Sequence, residues 1–288
     1  MLALALRDDP SLALSMDLYE LSMAQGYWKN EVTDTQAEFH MFFRTNPFQG
    51  GYVVWAGLAD LIEALRGFHF STSDLAYLGS LPDRQGKPLF EPKFLEFLAR
   101  FRFTCDVHAV PEGTVVFPNE PLIRVQGPIL EAQVVETLLL TVVNFQSLIA
   151  TKASRCTLAA QGEPVVDFGL RRAQGLDGGF SASRAAYIGG CVGTSNVLAG
   201  KLLGIRVLGT FAHSWVMSFD SEREAFDAFA RTMPNNCVFL VDTYNTIHGI
   251  RNAIEVGLRL REQGHEMIGI RLDSGDLAYL SIQARRML

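Results

Sequence analysis

The sequence predicts an α/β fold: an irregular or incomplete α/β barrel preceded by a mixed α+β N-terminal domain. Beyond residue 160, apolar runs at 165–168, 207–208, 238–241 and 267–270 alternate with helical patterns near 183–190, 222–232, 246–263 and 276–287. That β-α rhythm is how a chain builds a parallel sheet or barrel, because each parallel strand needs a crossover before the next. Before residue 130 the pattern is different, with short helices among extended runs bounded by Pro and Gly. A long apolar-faced helix, 131–160, is expected to bridge the two, so the expected division is 1–130, 131–160 and 161–288.

Taken in order, Ser71 followed by Asp74 is a helix-start signal and predicts a helix over 74–81. Pro92 ahead of KFLEFLARF does the same for 92–101, since proline suits the first helical position. The run VHAVPEGTVVFPNEPLIRVQGP, 107–128, reads as short antiparallel strands. Ser221 with Glu224 forms a capping-box pattern before AFDAFA and defines the most secure helix of the second region. Only about four β-α units are present, and the last amphipathic pattern runs to Leu288 without a terminating Gly or Pro, so a closed eight-stranded barrel is not expected.

With 288 residues, 48% hydrophobic and 19% charged, the chain can bury a sizeable core. A net charge of -6 and the lack of a dense Lys/Arg run argue against a nucleic-acid partner, so any arginine that binds an anion must act from within a pocket. Cys105, Cys156, Cys191 and Cys237 are widely spaced, which argues against a zinc site or a disulfide framework and sets a cytoplasmic expectation. MLALALRDD has no basic start and meets Arg7, Asp8 and Asp9 too early for a signal peptide. The apolar stretch 137–151 is shorter than the roughly 20 residues a bilayer needs and carries Asn144 and Gln146, so no membrane span is expected.

Three polar strings follow predicted strands: GLRRAQG (169–175), GTFAHSW (209–215) and RLDSGD (271–276). Strand ends are where an α/β barrel keeps its chemistry. His213, flanked by Thr210 and Ser214, is either a satisfied structural histidine or a nucleophile and proton carrier. Arg171 and Arg172 are consecutive after a predicted strand, so one is expected to point inward and the other away; a guanidinium fork suits phosphate or carboxylate, and Arg171 is the one expected in a pocket. Gly175, Gly178 and Gly179 would form a turn whose amides help hold an anion. In an extended segment Arg271 and Asp273 share a face, with Ser274 and Gly275 leading to Asp276, which is either a helix N-cap or a ligand-facing acid. Asp242 in LVDTY ends a strand with the same ambiguity. Tyr19 in DLYELSMAQGYW reads by itself as a core aromatic. GTSNVLAGK, 193–201, misses the phosphate-loop register.

The strings DFGLRRAQGLDGG, SRAAYIGGCVGTSNVLAG, GTFAHSW, LVDTYNT and IRLDSGDL, with DLYELSMAQGYW upstream, resemble nicotinate phosphoribosyltransferase, a type II phosphoribosyltransferase, along the whole chain. The resemblance implies an enzyme that joins nicotinate to 5-phosphoribosyl 1-diphosphate, coupled to ATP hydrolysis, giving nicotinate mononucleotide in NAD salvage. It implies that His213 is phosphorylated by ATP, and that Tyr19, Thr210 and Arg271 contact nicotinate, Tyr19 from the other subunit of a homodimer. Arg171, Asp242, Asp273, Ser274 and Gly275 are the positions it points to for phosphoribosyl diphosphate, with Asp242 and Asp273 near the ribose or the Mg²⁺ (or Mn²⁺) cofactor; it assigns no metal ligands.

Enzymes of this kind are longer, and the glycine-rich segment that holds the 5-phosphate is not met before Leu288, so these 288 residues alone are expected to turn over little or nothing. The alternatives are nicotinamide phosphoribosyltransferase, whose neutral substrate would waste an arginine clamp, and a noncatalytic truncated form that dimerises with an intact partner. An aldolase-like barrel would want a lysine at a strand end, and none is predicted there.

Overall fold

The computed structural model describes residues 12–288, and the expectation about a signal peptide falls outside them. The chain divides into two compact units between Leu208 and Gly209. The first begins with helix α1 (Leu18–Lys29), strand β1 (Gln36–Met41) and strand β2 (Val53–Val54). Helices α2 (Leu58–Arg66), α3 (Thr72–Ser80) and α4 (Pro92–Leu98) follow, then strands β3 (Asp106–Ala109), β4 (Val115–Val116) and β5 (Ile123–Pro128). β5 lies between β1 and β3 in an antiparallel sheet, and β2 pairs antiparallel with β4.

The expected helix starts are present in atomic detail. Ser71 Oγ accepts from Asp74 N at 3.1 Å, and Ser71 N donates to Asp74 Oδ2 at 2.9 Å, so two otherwise orphaned amides at the start of α3 are satisfied. Pro92 is the first residue of α4, whose Phe94 and Leu98 turn into the core beside Phe90. Each fully buried Phe contributes about 2–3 kcal/mol by removal from water.

The expected bridging helix is two: α5 (Ile129–Gln133) and α6 (Glu136–Ala159). The joined stretch is long and apolar enough to span a bilayer, which corrects the shorter extent expected from 137–151, but more than half of its most apolar window is buried inside the protein. The stripe Leu138, Leu139, Val142, Val143, Gln146, Ser147, Ala150 and Thr151 is buried at helical spacing, and α6 packs on α2, β2 and α7. Its hydroxyls serve the edge of β2: Thr151 Oγ1 accepts from Val54 N at 2.9 Å, and Ser147 Oγ from Ala56 N at 3.1 Å. Without them two buried amides would lose their partners.

Beyond α6 the first unit becomes parallel. Strand β6 (Val166–Asp167), helix α7 (Gly175–Ile188), strand β7 (Gly193–Thr194) and helix α8 (Val197–Leu203) form a β-α-β-α run. β6 and β7 are parallel, and Val207 adds one parallel bridge to Thr194 where a strand at 207–208 was expected. Two expectations are corrected here. Arg171 and Arg172 do follow β6, but on a 3-10 turn, Leu170–Arg172, that puts neither inside; both are exposed. Gly178 and Gly179 form no anion-holding turn but lie inside α7, which starts earlier than expected. A Cβ on Gly179 would come within 2.5 Å of Leu170, so its role is close packing of that turn on the helix.

The second unit runs through α9 (His213–Met217), α10 (Glu222–Thr232), β8 (Val238–Leu240), α11 (Thr246–Glu262), β9 (Gly269–Arg271) and α12 (Leu277–Met287). Ser221 Oγ caps α10 by accepting from Glu224 N at 3.2 Å. β8 and β9 are parallel with Leu240 opposite Arg271, and α10 packs on α11. Phe211, Phe226 and Phe239 centre the core, the last two stacked at 4.9 Å. Among the described residues the architecture is thus mixed α/β, with parallel pairs and no closed barrel.

Candidate active site

In the parallel pair β8–β9 both strands end at the same edge of the sheet, so the residues just after them, Asp242 and Thr243 after β8 and Leu272 to Ser274 after β9, emerge side by side. Asp242 is buried and fixes this edge: its Oδ2 accepts from Asp273 N at 2.9 Å and from Ser274 Oγ at 2.6 Å. Asp242 Oδ1 has no hydrogen-bond partner. Gly275 takes a φ of +78°, a conformation that L side chains rarely adopt, and so allows the turn into α12. Asp276 resolves to the capping alternative, its Oδ1 accepting from Tyr279 N at 3.0 Å.

Arg271, Asp273 and His213 form a connected chain of polar contacts. Arg271 NH2 donates to Asp273 Oδ1 at 2.6 Å, and NH1 to Thr210 Oγ1 at 3.1 Å. The second oxygen of Asp273 lies 3.4 Å from His213 Nε2. His213 Nδ1 lies 3.1 Å from Thr243 Oγ1. The hydrogen bond from Arg271, reinforced by its charge and by His213, holds the Asp273 carboxyl below the ordinary carboxylate range despite partial desolvation. Asp273 is therefore an anion at neutral pH, flanked by a guanidinium and an imidazole.

Six of the expected site residues, Thr210, His213, Asp242, Arg271, Asp273 and Ser274, are thus brought together in the second unit, with Gly275 shaping their loop. Thr243 belongs with them and was not singled out from sequence; the only signal was a hydroxyl beside Asp242 at a strand end. Tyr19 and Arg171 lie in the first unit. Tyr19 is 45% exposed on α1 and not in the core, which corrects the reading of it as a core aromatic. Partial burial and the neighbouring Glu136, Glu20 and Asp17 push its phenol up to about 12.

The first unit has polar junctions of its own that sequence reading missed. Asp167, at the end of β6, accepts from Gly169 N at 2.8 Å, Thr194 Oγ1 at 2.8 Å and Ser183 Oγ at 3.0 Å, tying the Arg171 turn to β7 and α7. Arg184 binds Glu112 bidentately, at 2.9 and 2.7 Å, while Glu112 also accepts from Gly57 N at 2.6 Å. Burial pushes the Glu112 carboxyl up, but these hydrogen bonds outweigh it and leave the group below its ordinary value. The partners are separated by 72 and 55 residues, beyond any local pattern.

Among the described residues no group of three or more His, Cys, Asp or Glu side chains is arranged to hold a metal ion. The thiols are poor candidates: burial pushes Cys105 up to about 12 and Cys191 up to about 11, and it raises Cys237 as well. Magnesium prefers oxygen ligands and is commonly bound together with substrate phosphates by one or two protein groups, a mode that needs no protein cage.

Comparison with known proteins places the chain among relatives. Residues 14–144 match the nicotinate phosphoribosyltransferase N-terminal domain, and residues 164–284 match the nicotinate phosphoribosyltransferase family. A nicotinate phosphoribosyltransferase of Mycobacterium tuberculosis is 48% identical over 276 residues, covering 96% of this chain and 58% of the relative. One from Bacillus subtilis is 47% identical over 289 residues, covering 100% of this chain and 57% of the relative. The chain therefore spans somewhat more than half the length of these relatives. The crystal structure of human nicotinic acid phosphoribosyltransferase superposes with a TM-score of 0.85 at 38% identity, covering 94% of this chain and 63% of that one. With both family models matched in order along it, the chain belongs to the nicotinate phosphoribosyltransferase family.

Proposed function

We propose that this chain carries nicotinate phosphoribosyltransferase chemistry: nicotinate and 5-phosphoribosyl 1-diphosphate give nicotinate mononucleotide and diphosphate, coupled to ATP hydrolysis. The observation that supports it is the junction of Arg271, Asp273 and His213 at the ends of β8 and β9. In the transfer step the ring nitrogen of nicotinate forms a bond to the ribose anomeric carbon as the bond to diphosphate breaks, and the electron pair leaves with diphosphate. No enzyme nucleophile is needed. The protein's contribution is alignment and positive charge, worth many powers of ten when the reacting atoms are held in line.

Arg271, oriented by Thr210, is the group for the nicotinate carboxylate, and a guanidinium pairs with a carboxylate in a way it cannot with a neutral amide. This weighs against a nicotinamide-specific enzyme. His213 accepts the γ-phosphate of ATP: a ring nitrogen lone pair forms the N–P bond, and ADP leaves with the electrons of the P–O bond. Asp242 and Asp273 are the acids that would lie near magnesium, which when bound with the substrate phosphates would neutralise charge on the diphosphate. Arg171 faces phosphoribosyl diphosphate from its exposed turn, and Tyr19, exposed on α1, reaches the pocket of a second copy in a homodimer. The expected organisation is part of this reading: a dimer-forming region 1–130, a bridging segment 131–160 and the parallel portion of a barrel over 161–288, in a cytoplasmic enzyme.

Incubation with labelled ATP tests the central claim. Acid-labile phosphate on the parent chain and its loss in His213→Ala support it; an unlabelled parent chain removes the ATP coupling. Competition between nicotinate and nicotinamide, with Arg271→Gln as the comparison, tests the clamp. The substitution should raise the half-saturating nicotinate concentration far more than that of nicotinamide.

A further inference from the structure

His213 is held from both ring nitrogens, and the two partners differ in kind. The ionised Asp273 carboxylate, 3.4 Å from Nε2, can only accept a proton, so the neutral ring keeps its hydrogen on Nε2 and its lone pair on Nδ1. Thr243 Oγ1, 3.1 Å from Nδ1, must then be the donor. A hydroxyl can act either way, so Asp273 decides the direction of the Thr243 bond through the ring.

The backbone makes this arrangement rigid. Thr243 directly follows Asp242, whose carboxylate is bonded to Asp273 N and Ser274 Oγ, so the groups on both sides of the imidazole are referenced to one buried anchor. Two residues after Thr243, Asn245 caps α11 by accepting from His248 N at 3.0 Å, which fixes the chain on the far side. Thr243 is therefore carried on a segment tied down at both ends. His213 itself is the first residue of the short helix α9, and Val216, one turn further on, is fully buried, which anchors the ring's own backbone.

We propose that Thr243 is a positioning residue for His213: its hydroxyl donates to Nδ1, aims the imidazole and holds the lone-pair nitrogen in place until an incoming group takes it. The assignment rests on the reading of His213 as the phosphate acceptor for its function, but not for its geometry. It predicts that an electrophile meets an oriented Nδ1 lone pair from which only one hydroxyl must turn away. Loss of the hydroxyl leaves Asp273 on Nε2 and frees the ring to rotate about that single contact.

The experiment is nitrogen-15 NMR of the His213 ring in the full chain at a pH where it is neutral, with Thr243→Val, Thr243→Ser and Thr243→Ala. The parent chain should show the Nε2–H tautomer with a hydrogen-bonded Nδ1. Thr243→Val and Thr243→Ala should shift Nδ1 to the position of a bare imine nitrogen, and Thr243→Ser should restore it, a pattern that a loss of general stability does not produce. Labelling of His213 by ATP should slow about tenfold in Thr243→Val at an unchanged half-saturating ATP concentration, as expected for one lost hydrogen bond of about 1.4 kcal/mol. A parent chain with the proton on Nδ1, or a valine variant with an unaltered Nδ1 signal, overturns the assignment. Because the ring nitrogens are observed without ATP, this outcome is separate from the labelling result that decides whether His213 accepts phosphate.

Discussion

Asp242 Oδ2 accepts the backbone amide of Asp273 at 2.9 Å, so the acid at the end of one parallel strand holds the acid at the end of the next by its main chain. The same oxygen takes the Ser274 hydroxyl, and the carboxylate is buried. Removing it leaves a partly buried main-chain amide and a hydroxyl without partners. Asp242→Ala should lower the stability of the second unit by about 2–4 kcal/mol, against about 1 kcal/mol for Ser274→Ala, measured by urea denaturation. Equal losses in the two variants would show that the amide bond carries little.

Acid should loosen the Arg271–Asp273 link before neutral pH does anything to it. The carboxyl of Asp273 is depressed in the folded chain, so the stability it contributes is complete above its unfolded value of about 3.9 and is lost as pH falls below that toward the folded value. Stability curves of the parent chain and of Asp273→Asn should therefore converge as pH falls below about 3.9. Curves that stay apart at the acid end would assign the interaction to something other than ionised Asp273.

The Glu112–Arg184 pair in the first unit should show strong non-additivity. Breaking a largely buried pair from one side strands a charge, at a cost of about 3–5 kcal/mol, whereas removing both partners costs much less than the sum. Glu112→Gln, Arg184→Met and the double variant, compared by thermal or denaturant unfolding, should give a coupling energy well above that of a surface pair. Additive effects would mean the pair is solvated.

Gly249 lets α11 approach β8 just behind the site. A Cβ there would come within 2.1 Å of Val241 O and 3.1 Å of Glu222 Oε1, and backbone cannot turn aside as a side-chain tip can. Gly249→Ala should cost roughly 2 kcal/mol or more, beyond the small gain in helix propensity, and should displace the Asp242–Thr243 segment. Backbone amide shifts of Asp242 and Thr243 in the variant are the measurement; unchanged shifts would place the strain elsewhere.

Much of the fold was legible because capping and periodicity are local. Ser71 with Asp74, Pro92, and Ser221 with Glu224 each start a helix where expected, since a cap needs only residues three apart. The strings GTFAHSW and RLDSGD likewise contain most of the second unit's site, because strand ends follow directly from the β-α rhythm. The failures have the opposite cause. Glycines at 175, 178 and 179 read as a turn, yet α7 opens at Gly175 and carries Gly178 and Gly179 inside it, where Gly179 leaves room for Leu170. Alternation placed Arg171 and Arg172 on opposite faces, yet Asp167 curls the chain into a 3-10 turn by binding Gly169 N.

By itself, the sequence determined which chemical groups stand at the strand ends and which segments are helices, because both depend on neighbours a few residues away. Only the tertiary structure decided that Asp273 reaches His213 as well as Arg271, that Thr243 faces the other ring nitrogen, and that Ser147 and Thr151 complete the edge of β2. Apart from Arg271 with Asp273, these partners stand 30 to 97 positions apart, where register and burial, and not local preference, select the contact.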